Sequence, residues 1–456
     1  MDPTTKYLTF LPHSGFHNQR TELENALLLA RLLNRTLIMP KVYLGPPMPW
    51  LSFSMLHSRL LYQTKIGLEH CRAIIEKGFH PLPAECLQYE SWTMTDWDLF
   101  FNLDPLRHHV RILTRESMSM AEKPKPPLLR SESDVLFFDD TSLYDYRFSQ
   151  NPDSPESQKT RSKFLQEFTI DWLAQRPERL IHLGSIFGTG RVAIDSLDSK
   201  AWLQMIRDHL IIRTEILQVT SQSIADKISG RAGFVGIHIR MSDGHFSLTA
   251  RNTIESIRQE LMWQIGMDDP TSSPVAETHK RQARLSIEQC RARALNHRRA
   301  LQEQLLQQQH ERDRERELGH PPMKPPTPNQ QQQQSFMQPP ADPPTSQSSP
   351  PKRRSNGRYT PIYLATDAHR PRSNPIFDHL FATFDCIFTL DDFSEDLEKL
   401  TQYRNPEDGT LMAKFLMPMV DAMVVAKAAA FFGTPASTFS NYIQKQLRPA
   451  YTGLYD

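Results

Sequence analysis

The stretch from residue 233 to residue 245 reads GFVGIHIRMSDGH, an apolar run that ends in polar residues. Its valine and isoleucines favour a buried strand. Ligands of open α/β sheets bind beyond the carboxyl ends of the strands. Arg240 at that end suits a phosphate, because a guanidinium is always charged and can bind two oxygens at once. The alternative is a strand that runs into an ordinary solvated loop with a local pair between Arg240 and Asp243.

Strand and helix patterns alternate on both sides of this stretch. The predicted strands cover residues 6–11, 36–39, 135–138, 179–183, 233–239, 361–367 and 386–390. The predicted helices cover residues 22–33, 160–175, 200–228, 375–383 and 410–431, and a short helix begins near residue 437. Residues 12–19 read as a loop between the first strand and the first helix. A strand, a helix and a second strand in one short span form a βαβ unit, so the sequence predicts the α/β class with parallel sheets.

Residues 268–357 interrupt this alternation. Residues 279–318 carry many Arg, Gln and Glu with few large apolar side chains, and residues 319–355 are rich in Pro, Gln and Ser. Such a composition buries too little apolar surface to offset chain entropy, so we expect a long disordered insertion that starts with a solvated helix. The arginines invite a nucleic-acid interpretation, but the acidic residues among them and the lack of interleaved aromatic residues favour a solvated arm.

The totals set limits on the class of protein. The 456 residues suffice for two domains of ordinary size. The net charge of +1 gives no general case for binding nucleic acid. No stretch approaches 18 apolar residues and residues 1–6 lack a basic and apolar leader, so the sequence predicts neither a membrane span nor a signal peptide in this chain. Because a strand begins at once, an upstream leader in a longer chain is one interpretation.

The cysteines leave the redox compartment open. Cys71, Cys86, Cys290 and Cys386 show no metal-ligand spacing. Cys71 and Cys86 form a pair if the compartment is oxidising, whereas Cys290 falls in the insertion and Cys386 reads as a buried strand thiol. Asp96-Trp97-Asp98 has the D-x-D form of some metal-dependent glycosyltransferases, but no convincing buried strand precedes it, which favours a chance match.

Polar residues follow two more elements in the second half of the chain. Asp367 ends a strand and is suited to accept from a ribose hydroxyl or a base N–H. The residues Ser437, Thr438 and Ser440 stand where a helix begins, which supplies hydroxyls and backbone N–H groups for a phosphate. Together with Arg240, these residues predict a pocket for a nucleoside diphosphate without an obvious metal site.

These residues also carry a resemblance to a known family. The matching segments are residues 12–20 (PHSGFHNQR) with the helix that follows, residues 34–40 (NRTLIMP), residues 238–240 (HIR), residues 363–367 (YLATD) and residues 432–440 (FGTPASTFS). In this order the segments are similar to the GDP-fucose protein O-fucosyltransferase-like family, in its fungal branch. The resemblance implies a GT-B-like fold with two Rossmann-like domains facing across a cleft. Residues 1–215 would form the acceptor-side domain and residues 216–456 the nucleotide-sugar domain, with the insertion inside it.

The resemblance implies inverting transfer of fucose from GDP-fucose to a protein or glycan hydroxyl, without a cofactor or an obligatory metal. By analogy, Arg240 stabilises the leaving GDP and Asn18 faces the reacting centre from the first loop. The GDP-sugar would contact Gly15, His238, Arg240, Asp243, Asp367, Ser437, Thr438, Phe439 and Ser440. The implied location is the secretory pathway, in the lumen of the ER or Golgi. Without a leader in this chain, either the start is truncated or the protein is a soluble intracellular one.

The general base is the open point of this prediction. Some relatives carry a carboxylate near the position of Ser14, and here the titratable choices are His13 and His17. The alternative is that both histidines only pack or hydrogen-bond in the loop. Two further interpretations stay open for the whole chain: an inactive relative that keeps the fold as a binding module, and a regulatory protein whose basic arm binds nucleic acid.

Overall fold

The computed structural model describes residues 4–114, 132–230, 233–241, 244–267, 285–317 and 359–454. Contacts divide the chain into two compact units. The first unit consists of Met1–Ser247, Tyr363–Ala368 and Phe388–Asp456, and the second of Leu248–Ile362 and His369–Ile387. The predicted division at residue 215 and the facing of two domains across a cleft stay predictions. Most of the predicted disordered insertion lies outside the described residues.

The described residues form a mixed α/β protein. Its strands are β1 (Tyr7–Phe10), β2 (Thr36–Met39), β3 (Val42–Leu44), β4 (Thr93–Thr95), β5 (Ile112–Thr114), β6 (Val135–Phe138), β7 (Tyr146–Ser149), β8 (Gln166–Thr169), β9 (Leu180–Leu183), β10 (Val192–Ala193), β11 (Val235–Ile239), β12 (Ile362–Thr366), β13 (Ile387–Phe388) and β14 (Ala430–Gly433).

The α-helices are α1 (Phe16–Leu32), α2 (Phe53–Tyr62), α3 (Glu69–Glu76), α4 (Asp104–Arg107), α5 (Pro155–Arg161), α6 (Ile170–Ala174), α7 (Leu197–His209), α8 (Glu215–Ile228), α9 (Gly244–Gln264), α10 (Ile287–Glu317), α11 (Asp378–Thr383), α12 (Glu398–Thr401), α13 (Ala413–Ala426), α14 (Thr438–Tyr442) and α15 (Arg448–Thr452). Among the described residues, every helix is too short or too polar to cross a lipid bilayer.

A parallel five-stranded sheet in the order β5-β2-β1-β9-β6 organises the first part of the chain. Its central positions Leu8, Leu37 and Ile181 are fully buried. Helix α1 follows β1, as the predicted βαβ unit requires, and buries Leu23 and Leu27. Strands β10, β7 and β8 form a smaller parallel sheet, and β3 pairs with β4 in antiparallel fashion.

A second parallel arrangement lies further along the first unit. Strand β11 has β12 and β14 as its neighbours, and β11 and β14 run parallel. All five residues of β11 are buried, as the apolar stretch predicted. Gly236 lets α13 approach this strand, because a Cβ at that position would lie 2.6 Å from Cγ1 of Val425.

Several predicted elements were wrong in extent, among them the helix over 200–228, which residues 210–214 divide into α7 and α8. Helix α1 begins at Phe16, so His17 and Asn18 lie in its first turn and not in a loop. The predicted helix over 160–175 is replaced by α5, β8 and α6, because the Ser154 and Thr169 side chains each cap a new helix. The predicted helix over 410–431 ends at residue 426, and β14 follows it.

The cysteines of the described residues form disulfides in both halves of the chain. The bond between Cys71 and Cys86 corresponds to the pairing left open above. The interpretation of Cys386 as a thiol was wrong, because Cys386 is bonded to Cys290 at the start of α10. Helix α10 is long and mostly exposed, as expected for the solvated start of the insertion.

Candidate functional site

Thr434 joins the ends of β11 and β14. His238 is paired in register with Gly433, the last residue of β14. One residue further, the Thr434 hydroxyl donates to the His238 carbonyl at 3.1 Å and accepts from the Arg240 backbone N–H at 2.9 Å. Sequence reasoning missed Thr434, because its role depends on the strand β14 that the helical pattern concealed. Its hydroxyl fixes the backbone that carries Arg240.

The turn into α14 brings two hydroxyls to the same place. Ser437 caps the helix, since its buried side chain accepts from the Ser440 backbone N–H at 3.3 Å. Ala436 ahead of it has a positive φ of 60°. The Ser440 hydroxyl lies 2.7 Å from Nδ1 of His238. A Cβ on Gly433 would lie 2.7 Å from Cβ of Ser440, so this close approach requires glycine.

His238 is a neutral, buried ring in this arrangement. It stacks on Phe439 with ring centroids 4.4 Å apart and an interplanar angle of 27°. Burial and, after it, the positive charge of Arg240 lower the pKa of His238 to about 3. The imidazole therefore carries no charge at neutral pH, and it can act on a ligand only through hydrogen bonding and packing.

Arg240 supplies the positive charge at the end of β11. Its side chain is partly exposed, and its guanidinium carbon lies 4.7 Å from the ring centroid of Phe246. The Asp367 carboxylate accepts from the Met241 backbone N–H at 2.7 Å, which fixes the chain just beyond the arginine. The structure thus brings Asp367 to the predicted site. Asp243 lies outside the described residues.

The first turn of α1 meets the first turn of α14. The Thr438 hydroxyl donates to Oδ1 of Asn18 at 2.9 Å. The ring of His17 lies 4.8 Å from Phe439 and 4.9 Å from Tyr442. Burial and the charge of a neighbouring arginine hold the pKa of His17 well below its usual range, and its buried Nδ1 has no hydrogen-bond partner among the described residues. The predicted residues from the two ends of the chain therefore converge.

His13 lies deeper, within a polar network of its own. It is only 1% exposed, and its Nε2 lies 2.7 Å from the Ser185 hydroxyl and 2.9 Å from Oε1 of Glu22. Its Nδ1 lies 2.8 Å from the hydroxyl of Ser14, which is partly exposed. Burial raises the pKa of Glu22. Next to Ser14, the open side of Gly15 has no atom within 4 Å of where a Cβ would stand.

Two cavities of the first unit lie near this convergence. The smaller, of about 220 Å³, is lined by Phe16, His17, Tyr43, Leu44, Gly45, Lys414, Phe415, Pro418, Met419 and Phe439. The larger cleft, of about 620 Å³, is lined by residues that include Lys41, Gln63, Lys65, Tyr89, Trp92, Met94 and Asp408. Tyr43 of the smaller cavity stacks on Trp92 of the larger cleft, with ring centroids 6.1 Å apart.

Two groups of side chains among the described residues could in principle bind a metal ion, and both already have protein partners. His70 lies near Cys71 and Cys86, but those cysteines are bonded to each other. In the D-x-D segment, both oxygens of Asp98 accept from Arg107, at 2.7 and 2.9 Å. Neither group presents a set of vacant ligands to a cation.

Comparisons with known proteins give short or distant similarities. No protein-family model matches the sequence. O-fucosyltransferase 30 of Arabidopsis thaliana is 60% identical to the chain over 37 residues, which is 8% of this chain and 7% of that protein. The match thus covers a small part of the relative's length.

Solved fucosyltransferase structures align along nearly the whole chain at low similarity. The structure of POFUT1 in complex with GDP has 14% identity and a TM-score of 0.36, and the alignment covers 98% of this chain and 95% of that one. POFUT1 in complex with GDP-fucose has 13% identity, a TM-score of 0.35 and the same coverage. The α-1,6-fucosyltransferase NodZ soaked with GDP-fucose has 12% identity and a TM-score of 0.39, covering 97% and 93%. Scores this low establish neither a shared fold nor a shared activity.

Proposed function

We propose that the protein is a glycosyltransferase that takes GDP-fucose as its donor and transfers fucose, with inversion, to a hydroxyl of a protein or glycan. The observation that carries this proposal is that Arg240 lies at the end of a strand where two hydrogen-bonded pairs meet. One pair is His238 with Ser440, and the other is Thr438 with Asn18. Residues from both ends of the chain thereby surround one positively charged strand end. The proposal agrees with the names of the proteins to which the chain is similar.

The chemistry of a nucleoside diphosphate fits these groups. Breaking the bond between the sugar and GDP leaves negative charge on the diphosphate, and a fixed guanidinium stabilises that charge. The backbone of Arg240 is held by Thr434 and the following residue by Asp367, so the cation is positioned before the substrate arrives. This arrangement supports a reaction without an obligatory metal.

Apolar rings give the rest of the donor a place to bind. Phe439 packs between the rings of His17 and His238 and also lines the smaller cavity. Aromatic faces suit a purine base or the methyl side of a 6-deoxy sugar. Asp367 remains the proposed contact for guanosine, because a carboxylate can accept several hydrogen bonds. The larger cleft offers space for the acceptor.

The disulfides support work in an oxidising compartment. Cys71–Cys86 and Cys290–Cys386 use every cysteine of the chain. Disulfides persist in secreted proteins and in the lumen of the ER, and they are rare in the cytosol. We therefore keep the secretory pathway as the proposed location.

Calorimetric titration with GDP, GDP-fucose and GDP-mannose tests the donor, followed by an assay for sugar transfer and hydrolysis. We expect GDP and GDP-fucose to bind and the Arg240→Ala variant to lose most of the affinity. Arg251→Ala serves as the control, because that arginine is exposed and outside the site. An absence of GDP binding to the wild-type protein contradicts the proposal.

A binding module without activity is the second candidate. It is favoured by one observation: no carboxylate stands in the first loop near Ser14, and both titratable choices there, His13 and His17, are buried. An inactive module would bind GDP-fucose but neither hydrolyse nor transfer the sugar. Titration combined with the activity assay separates the two functions.

A further inference from the structure

Ser14 is the partly exposed end of a buried chain of hydrogen-bonding groups. Its hydroxyl lies 2.8 Å from Nδ1 of His13, a ring that is itself almost completely buried. A ligand that approaches this segment would meet the partly exposed serine and not the buried imidazole. Any exchange of a proton between a bound hydroxyl and His13 would then pass through Ser14.

The backbone holds Ser14 in an unusual conformation. Its φ is +65°, in the left-handed region where residues other than glycine are strained. The conformation is fixed by the Ser14 backbone N–H, which donates to the Met48 carbonyl at 2.6 Å, and by the Gln19 side chain, which donates to the Ser14 carbonyl at 3.2 Å. Several contacts thus maintain a strained residue whose hydroxyl faces His13.

The far side of the imidazole determines where its proton lies. Oε1 of Glu22 stands 2.9 Å from Nε2 of His13, and the other oxygen of the same carboxylate accepts from the His13 backbone N–H at 3.1 Å. A hydrogen on Nε2 can be donated to the Ser185 hydroxyl and lies beside the Glu22 carboxylate, which favours it electrostatically. Nδ1 then has a lone pair for the Ser14 hydroxyl. The Ser185 hydroxyl, 2.7 Å from Nε2, steadies the same tautomer.

The position of Ser14 suits the reacting centre of the proposed donor site. Ser14 lies four residues before Asn18 in the sequence, and Asn18 accepts a hydrogen bond from Thr438. The neighbouring Gly15 leaves open space on its free side. His17, the other histidine of this segment, is a poor base, because burial and adjacent positive charge hold its pKa well below the usual range.

We propose that Ser14 is a catalytic residue that relays the acceptor's proton to His13; this inference rests on the proposed transferase function. The acceptor oxygen attacks the anomeric carbon and gives its proton to Oγ of Ser14, and Ser14 gives its own proton to Nδ1 of His13. The bond between the anomeric carbon and the phosphate oxygen breaks, and GDP leaves with the electron pair. The imidazolium that forms is stabilised by Glu22, and it later returns the proton to water through Ser14.

The test replaces Ser14 by glycine in the full chain. Glycine adopts a φ of +65° without strain, so Ser14→Gly removes the hydroxyl and relieves the backbone at the same time. We expect kcat for transfer to fall about 100-fold, a usual contribution of acid–base catalysis, with the Kd for GDP-fucose unchanged. Ser14→Asp is the rescue variant, because aspartate tolerates this conformation and places a carboxylate base at the surface.

The pH profile separates a relay from a structural role. The groups around His13 are Ser14, Glu22 and Ser185, with Arg191 acting on Glu22 and Asp140 bonded to the backbone of Ser185. A relay that ends on a general base predicts that wild-type activity falls at low pH. Ser14→Gly should lose this acid limb, and Ser14→Asp should recover activity with the limb moved to lower pH.

The outcomes are distinguishable from those of the donor proposal. A Ser14→Gly variant with the wild-type kcat and pH profile overturns the relay, even if the protein transfers fucose. A wild-type protein that does not bind GDP overturns the proposed function, and the relay with it. Loss of both donor binding and activity in Ser14→Gly would assign the serine to donor binding and also contradict the relay.

Discussion

Two sheet edges in the first compact unit present polar residues, and they use them differently. At the edge after β1 and β9, Glu22 and Ser185 both lie close to His13, and all three side chains are buried. At the edge after β11 and β14, Arg240 stays partly exposed and Thr438 reaches across to Asn18. The first edge uses buried polar groups to support the loop that carries Ser14, and the second keeps Arg240 and Thr438 partly exposed.

This difference shows what a polar residue after a strand indicates. Both edges carry a histidine, and both histidines are buried. What distinguishes the second edge is a cation whose backbone is fixed and whose side chain stays partly exposed. A donor site therefore needs groups held by the backbone that still face outward, whereas the buried side chains of the first edge act on a ligand only through Ser14.

The largest expected effect concerns stability against pH at the second edge. The pKa of His238 is about 3 when folded and about 6.5 when unfolded, so below pH 6.5 the unfolded chain binds more protons. Stability from this residue is present above pH 6.5 and falls by up to about 1.4 kcal/mol per pH unit down to about pH 3. In denaturant titrations His238→Gln should show a shallower decline. An unchanged slope would mean that the ring is not held neutral.

The next effect tests the accessible cation. Arg240→Ala should lower the rate of transfer or donor hydrolysis about 100-fold or more, because a fixed charge on the leaving group is lost. Arg240→Lys should recover part of the rate, since it keeps the charge but not the paired donors. Steady-state kinetics of both variants checks this. Wild-type rates in Arg240→Ala would remove the contrast between the edges.

Gly433→Ala probes the close approach that shapes the second edge. The added Cβ would lie 2.7 Å from Cβ of Ser440 and push α14 away from β14. We expect a loss of about 1–3 kcal/mol in stability, together with weaker GDP binding. Gly453→Ala is a poor control for the stability measurement, because Gly453 has a positive φ. Gly15→Ala is a suitable one, since no atom lies within 4 Å of where its Cβ would stand. Unaltered GDP affinity would show that the turn does not seat the donor.

The smallest effect belongs to the first edge. Ser185→Ala removes the hydroxyl next to Nε2 of His13 and should cost about 1 kcal/mol of stability. GDP affinity should remain at the wild-type level, because this edge holds the loop. Thermal unfolding and calorimetry on the same samples measure both quantities. Weaker GDP binding without lost stability would reverse the roles assigned to the two edges.

The fold could be predicted where the apolar pattern is strong. Strands β1, β2, β9 and β11 stand where their alternating or continuous apolar residues place them. Strand β14 was missed because residues 428–432 read AAAFF, which continues the preceding helix as well as it forms a strand. Residues 430–433 form a strand because they pair with residues 235–238 of β11, a contact between segments that are far apart in the sequence.

The site could be predicted in outline from residue types. Arg240, Asp367 and residues 437–440 do meet at one edge, and their suggested roles stay predictions. The network around His13 could not be foreseen, because Glu22 and Ser185 lie on separate elements. The disulfide of Cys386 was equally hidden, since its partner is 96 residues away in a segment without apolar pattern.

The disulfide between Cys290 and Cys386 determines what proteolysis of the polar segment can release. The chain between these cysteines, including the Gln- and Pro-rich residues, forms a covalent ring that the disulfide closes. A protease that cuts anywhere inside the ring opens it but releases no fragment. Such a nicked protein would migrate as one chain on a denaturing gel until a thiol reductant separates the two pieces.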